Sequence, residues 1–249
     1  MAPHEPVRRR VISFNLEQWQ AWAPGLESPA DWAHWAAAPW QPDASEAQPD
    51  VAFLPPMQRR RMSRLARMVF RVATPLAEGR PAMPLVYASR HGETPRTFAL
   101  LADLAQREPL SPTQFSLSVH NAIIGLWSIL RGDRSEMTAL AAEGDGLEHA
   151  VMEAAMLLAD GADAALVVIA EDLPPTFYEP WTDDVRFPYA LALLLTPGTD
   201  WTLSLGQAAE NRSLPALPHA LQLIRLLSGE QTHGLHHWKK RVWNWQRTH

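Results

Sequence analysis

The run Ala164–Ala170, seven apolar residues bounded by Asp163 and Glu171, constrains the fold more than any other stretch of the chain. A short, continuous apolar strand suits a sheet that is covered on both faces, whereas a half-exposed strand alternates. One cover is supplied just upstream, where Asp145–Asp160 sets Leu147, Val151, Ala154 and Leu158 along a single helical stripe. The alternation recurs. Leu85–Ser89 reads as a short strand, and Thr94-Pro95 opens a helix with Phe98, Leu101 and Ala105 turned inward. Asn121–Leu130 is expected to be helical and Met137–Ala142 to be a buried strand. The fold class is α/β.

Outside this centre, Val7–Asn15 is expected to form a first strand, and Trp19–Trp40 is a Trp/Pro/Ala-rich segment with a helix capped near Ser28. Gln41–Asp50, with Pro42, Ser45 and Pro49, is the clearest surface loop. A helix is expected from Pro55-Pro56 to about Ala77, because proline is tolerated at a helix start and Met62, Leu65, Val69 and Val72 recur on one face. On that helix Arg60, Arg64, Arg67 and Arg71 would line another face. Phe187–Leu195 and Trp201–Gln207 look like a final pair of strands. From Leu217 a helix carrying Leu221, Ile224 and Leu227 leads into a flexible, partly basic tail with Trp238, Trp243 and Trp245. The expected division is residues 1–210 as the main domain and 211–249 as a C-terminal helical tail.

With 249 residues and 47% hydrophobic content the chain can bury a full core. It contains no cysteine, which excludes disulfides and thiolate metal sites and suits a reducing compartment. Arg8–Arg10 are followed by a stretch too short and polar for a signal-peptide core, and no apolar run approaches a membrane span. A cytoplasmic protein without a membrane span is expected. The net charge of −5 argues against general nucleic-acid binding. His233, His236 and His237 lack the flanking ligand spacing of a metal site, so no metal is expected.

Three segments occur in a telling order: Ser111-Pro-Thr-Gln-Phe-Ser-Leu-Ser-Val-His-Asn-Ala-Ile-Ile-Gly125, Ala141-Ala-Glu-Gly-Asp-Gly-Leu-Glu-His-Ala150, and Asp163-Ala-Ala-Leu-Val-Val-Ile-Ala-Glu171. This order resembles the N-terminal half of β-ketoacyl synthases, over roughly residues 7 to 207. The resemblance implies a thiolase-like fold, with a mixed, mainly parallel sheet covered by helices. Leu54-Pro55-Pro56, Arg59-Arg60-Arg61-Met62-Ser63 and Ser118-Val119-His120-Asn121-Ala122 are similar to a short β-ketoacyl synthase N-terminal-like group that occurs with aryl polyene biosynthesis. With a one-residue gap, the position of the family's nucleophilic cysteine falls on Glu143. A carboxylate cannot carry an acyl thioester, although a helix N-terminus suits its charge.

The resemblance therefore implies a non-catalytic chain-length-factor-type subunit that pairs with a cysteine-bearing ketosynthase. Gln114, Phe115 and Leu117 would approach the partner's acyl tunnel, with Ile123 and Ile124 behind them. The arginine face would steer acidic acyl carrier protein. No cofactor is implied. The same residues have plainer readings: Phe115, Leu117, Ile123 and Ile124 as core, the arginines as a solvated or internally paired face, and Glu143 as a capping carboxylate. Rival functions are a hydrolase using Ser116 or Ser118 with His120, though Gly-x-Ser-x-Gly is absent, an accessory malonyl-carrier-protein decarboxylase using Glu143, and a structural homodimer.

Overall fold

The computed structural model describes residues 11–43, 47–182, 184–208, 217–229 and 231–248. Residues 7–10 of the expected first strand and Ser45 of the expected loop lie outside them. The elements are β1 (Val11–Trp22), α1 (Pro29–Ala37), α2 (Pro56–Arg59), α3 (Arg64–Ala77), β2 (Leu85–Ala88), α4 (Thr94–Ala105), α5 (Pro112–Ser116), α6 (Ala122–Arg131), β3 (Met137–Leu140), α7 (Gly146–Ala159), β4 (Ala165–Glu171), a 3-10 turn (Thr176–Trp181), β5 (Tyr189–Gln207), α8 (His219–Ser228), β6 (His233–Trp238) and β7 (Arg241–Arg247).

The strands form one seven-stranded mixed sheet in the order β3-β2-β4-β5-β7-β6, with β1 also paired to β5. Parallel pairing is confined to β2 with β3 and β4, and the other ladders are antiparallel. The sheet is thus mixed as expected, but not mainly parallel, because the long β5 receives β1, β4 and β7 all in the opposite direction. β4 explains its continuous apolar sequence. Ala165, Val167 and Ile169 join the core under α7 and α8, while Leu166, Val168 and Ala170 join the core under α3 and α6.

The expected pair of terminal strands is one strand. Between Phe14 and Asn15 the register on β5 jumps from Trp201 to Thr196, so residues 197–200 bulge out while both flanks stay in line. The Asn15 side-chain oxygen accepts the Asp200 N–H at 3.1 Å, which closes the bulge. β1 itself extends to Trp22, well beyond the expected Asn15, because it follows β5 along that whole length.

The expected Pro56–Ala77 helix is two helices. α2 ends at Arg59, and α3 starts afresh after Ser63, whose hydroxyl accepts the Ala66 N–H at 3.0 Å and donates to Glu93 at 2.6 Å. Arg60 falls in the break and so shares no helix face with Arg64, Arg67 and Arg71. α4 also differs: Leu100 is its buried residue, and Leu101 and Ala105, expected inward, are exposed. The helix docks by one narrow edge, which leaves its apolar side chains facing out.

Among the described residues of the tail, only α8 is helical. Residues 233–247 form a hairpin that extends the sheet through β5, with Trp243 and Trp245 buried together on one face at a spacing of two. No helix among the described residues is long and apolar enough to cross a membrane. Ser63→Ala, which removes the cap of α3 and a partner of Glu93, is expected to lower stability by about 1 to 2 kcal/mol, as read from urea denaturation.

Candidate functional site

Glu143 lies in the turn between β3 and α7, the place that the sequence pattern gave it. It is not free. Its Oε1 accepts from Lys239 Nζ at 2.5 Å, and its Oε2 accepts from Trp238 Nε1 at 2.8 Å and from the Arg241 guanidinium at 3.4 Å. The lysine hydrogen bond, then the indole, holds the Glu143 carboxyl down at about 2. All three donors come from the hairpin, at residues where the sequence suggests a flexible tail.

Two further carboxylates at the start of α7 are held in the same way. Asp145 accepts a bidentate pair from Arg241 at 2.5 and 2.9 Å and the Trp243 indole N–H at 3.0 Å, with His149 at 3.4 Å. Glu148 accepts the Trp245 indole N–H at 3.1 Å and lies against His219 and His236. Burial works against ionising both acids. The hydrogen bonds of His149, Arg241 and Trp243 outweigh it at Asp145, and the charge and hydrogen bond of His219 outweigh it at Glu148, so both are held well below the ordinary carboxylate range. The unpaired N–H groups at the α7 N-terminus favour the same negative charges.

Trp238 closes over the turn. A Cβ built on Gly144 would stand 2.2 Å from the Trp238 ring, so only glycine admits the indole. Beside this ring is a cavity of about 250 Å³, lined among others by Glu143, Arg90, Glu171, Tyr189 and Leu221. Glu171 is buried at its wall. Burial pushes it up to about 7 against the opposing hydrogen bonds of the Arg90 and His91 N–H groups and the Ser89 hydroxyl. Arg90 and His91 both pair with Asp184.

The second expected constellation sits elsewhere. α5, capped by Ser111, presents Gln114 and Phe115 to solvent, Phe115 with 63% of its surface exposed. Leu117 is half-buried, while Ile123 and Ile124 are in the core beside Trp127. Arg96 ties α4 to this segment through Gln114 and to the 60–63 break through the Arg61 carbonyl. Phe98 stacks on Phe177, which meets Trp181, and Phe177 and Trp181 are 63% and 70% exposed. With Leu101, Leu104 and Val119 also exposed, the α4, α5 and 3-10 turn region carries an extensive apolar surface.

The arginines are internally engaged. Arg64 pairs with Asp172 at 2.6 Å, Arg67 donates to the Arg59 carbonyl and Arg71 reaches Glu27, while Arg60 is exposed. His120 does not meet either serine. Its Nε2 faces the Ser89 carbonyl at 2.9 Å, and the Ser116 and Ser118 hydroxyls donate to the carbonyls of Thr113 and Phe115.

Residues 32–246 match the family described as beta-ketoacyl synthase, N-terminal domain. The chain belongs to that family. Its α/β sheet is the thiolase-like fold of the ketosynthase N-terminal domain. A chain in the structure of the Xenorhabdus doucetiae ketosynthase ApeO in complex with its chain length factor ApeC is 31% identical, with a TM-score of 0.86 over 95% of this chain and 100% of that one. The ishigamide ketosynthase/chain length factor is 17% identical, TM-score 0.60, over 80% of this chain and 67% of that one. A Burkholderia phymatum β-ketoacyl synthase is 13% identical, TM-score 0.59, over 90% and 71%. At these identities the last two share the fold. Among curated protein sequences, none matches the chain.

Gly144→Ala is expected to cost about 1 to 3 kcal/mol by driving Trp238 out of contact, and to raise the solvent exposure of that indole in quenching experiments. Asp145 and Glu148 are depressed acids, so their contribution is complete above the usual values of 3.8 and 4.5 and is lost as pH falls through the folded values. The urea midpoint should fall steeply below about pH 4.5, and Asp145→Asn should flatten part of that slope.

Proposed function

We propose that this protein is a non-catalytic, chain-length-factor-type subunit that pairs with a cysteine-bearing ketosynthase. It shapes that partner's acyl tunnel during polyene or fatty-acyl elongation on acyl carrier protein. The observation that carries the reading is Glu143, clamped by Lys239 and Trp238 in the strand-to-helix turn where the family's nucleophile is expected. The turn holds an acid whose two oxygens are both occupied and whose charge is fixed. It has no thiol to acylate, and its half-exposed carboxylate is held ionised by donors of the hairpin.

Two further facts support it. The X. doucetiae chain is matched over its whole length, so a family member of this size exists in a ketosynthase and chain length factor complex. The apolar surface of α4, α5 and the 3-10 turn is rich in exposed aromatic rings, the residues enriched at protein interfaces. On this reading Gln114, Phe115 and Leu117 face the partner's tunnel, and Ile123 and Ile124 set their position from the core. The carrier protein is proposed to approach through the arginine segment, with Arg60 as its exposed member. The serine hydrolase reading loses support because His120 is committed to the Ser89 carbonyl.

Co-expression with a ketosynthase of the same biosynthetic system is expected to give a one-to-one complex by native mass spectrometry. In that complex Phe115→Ala should lengthen the product by about one condensation while leaving assembly intact. A chain that stays separate from every such ketosynthase, or products unchanged by Phe115→Ala and Phe115→Trp alike, would overturn the assignment.

A further inference from the structure

Three titratable side chains lie together away from Glu143 and wholly inside the protein: Glu148 in the first turn of α7, His219 at the start of α8 and His236 in β6. His219 Nδ1 stands 2.9 Å from Glu148 Oε2, and its Nε2 stands 3.1 Å from the His237 carbonyl oxygen. An ionised carboxylate and a carbonyl only accept hydrogen bonds. Both ring nitrogens must therefore carry hydrogen, which makes His219 an imidazolium. His236 Nδ1 donates to Glu148 Oε1 at 2.6 Å, and the Trp245 indole donates to the same oxygen. That 2.6 Å is shorter than the separation of about 3 Å between two ligands on one small tetrahedral cation, so a hydrogen bond fits the contact and a metal ion does not.

The carbonyl that His219 holds belongs to the residue immediately before Trp238, the ring that covers Gly144 and borders the cavity. We propose that His219 is a proton-operated latch: its imidazolium ties β6 to Glu148 and holds Trp238 over the cavity beside Glu143, and loss of one proton releases the ring. A neutral imidazole has a single N–H. Deprotonation therefore turns a lone pair towards either the Glu148 carboxylate or the His237 carbonyl, and a buried acceptor loses its donor.

The charges around His219 favour the closed state. α7 contributes Glu148, Asp145 and His149; β6 contributes His236 and His237; from β7, Arg241 is already bound to Asp145; and Lys239 is bound to Glu143 in the turn. Burial opposes the imidazolium, but the charge and hydrogen bond of Glu148 outweigh it and raise the His219 pKa above 6.5. A raised histidine contributes its full stabilisation below the ordinary value and loses it as pH rises through the folded one. Glu148 is depressed, so the pair survives mild acid. The latch opens on the alkaline side.

The test uses the whole protein labelled with 15N-histidine. Ring nitrogen shifts of His219 are followed from about pH 6 to about pH 9, together with hydrogen exchange of the β6 and β7 amides corrected for intrinsic rates. The expected result is a doubly protonated ring at neutral pH, and protection around Trp238 that falls about tenfold as the ring titrates. In His219→Gln that step should vanish, with low protection at every pH. A neutral tautomer at pH 7, or protection without a pH step, would overturn the latch, and the wild-type titration decides the matter even where the variant does not fold. Equimolar Zn²⁺ that shifts both the His219 and His236 resonances, reversed by chelator, would also overturn it in favour of a cation site.

Discussion

Three indoles from one hairpin donate to three carboxylates at the start of one helix. Trp238 binds Glu143, Trp243 binds Asp145 and Trp245 binds Glu148. The acids would be untenable there without donors, since Asp145 and Glu148 have no exposed surface, and unpaired buried charge is strongly destabilising. The tryptophans would be equally awkward without acceptors, because a buried indole N–H needs a partner. Each group solves the other's problem. The helix N-terminus adds its own preference for negative charge, so the α7 turn, the hairpin and α8 are held as one unit around the position of Glu143.

This arrangement bears on what the turn can do chemically. A family site built for acyl transfer needs a nucleophile whose reactive atom is open to substrate. Glu143 is drawn into contacts with the hairpin, and the ring of Trp238 lies where any larger residue than glycine at 144 would have to be. The turn is a structural joint between α7 and the hairpin. The open, apolar part of the molecule is on α4, α5 and the 3-10 turn instead.

The strongest features of the fold were legible in the sequence because they rest on periodicity. β4 and α7 were readable to within a residue or so at each end, since an apolar run between two covered faces and a 3.6-residue stripe are written locally. The helix break before Arg64 was signalled by Ser63, a capping residue ahead of the apolar stripe, but a continuous arginine spacing concealed it. The hairpin was missed although Trp243 and Trp245 alternate, because its turn uses Lys239 in the left-handed region at φ 54° where glycine or asparagine would be the usual mark. Glu143 was found by pattern, but its partners were not. Lys239 and Trp238 are almost a hundred residues away, and only the packed sheet brings them together.

β5 receives β1 along one edge and β7 along the other, so segments from opposite parts of the sequence meet on a single strand. Asn15 waits for Thr196, and the sheet is not complete until Arg241–Arg247 arrive. Contacts of such long sequence separation are slow to form, because loop closure must precede the packing that rewards it. During synthesis, then, the first strand emerges from the ribosome well before its central partner. The aromatic surface of α4 and the 3-10 turn is exposed throughout that interval. A chaperone that covers those rings during synthesis would keep them from associating before the sheet has closed.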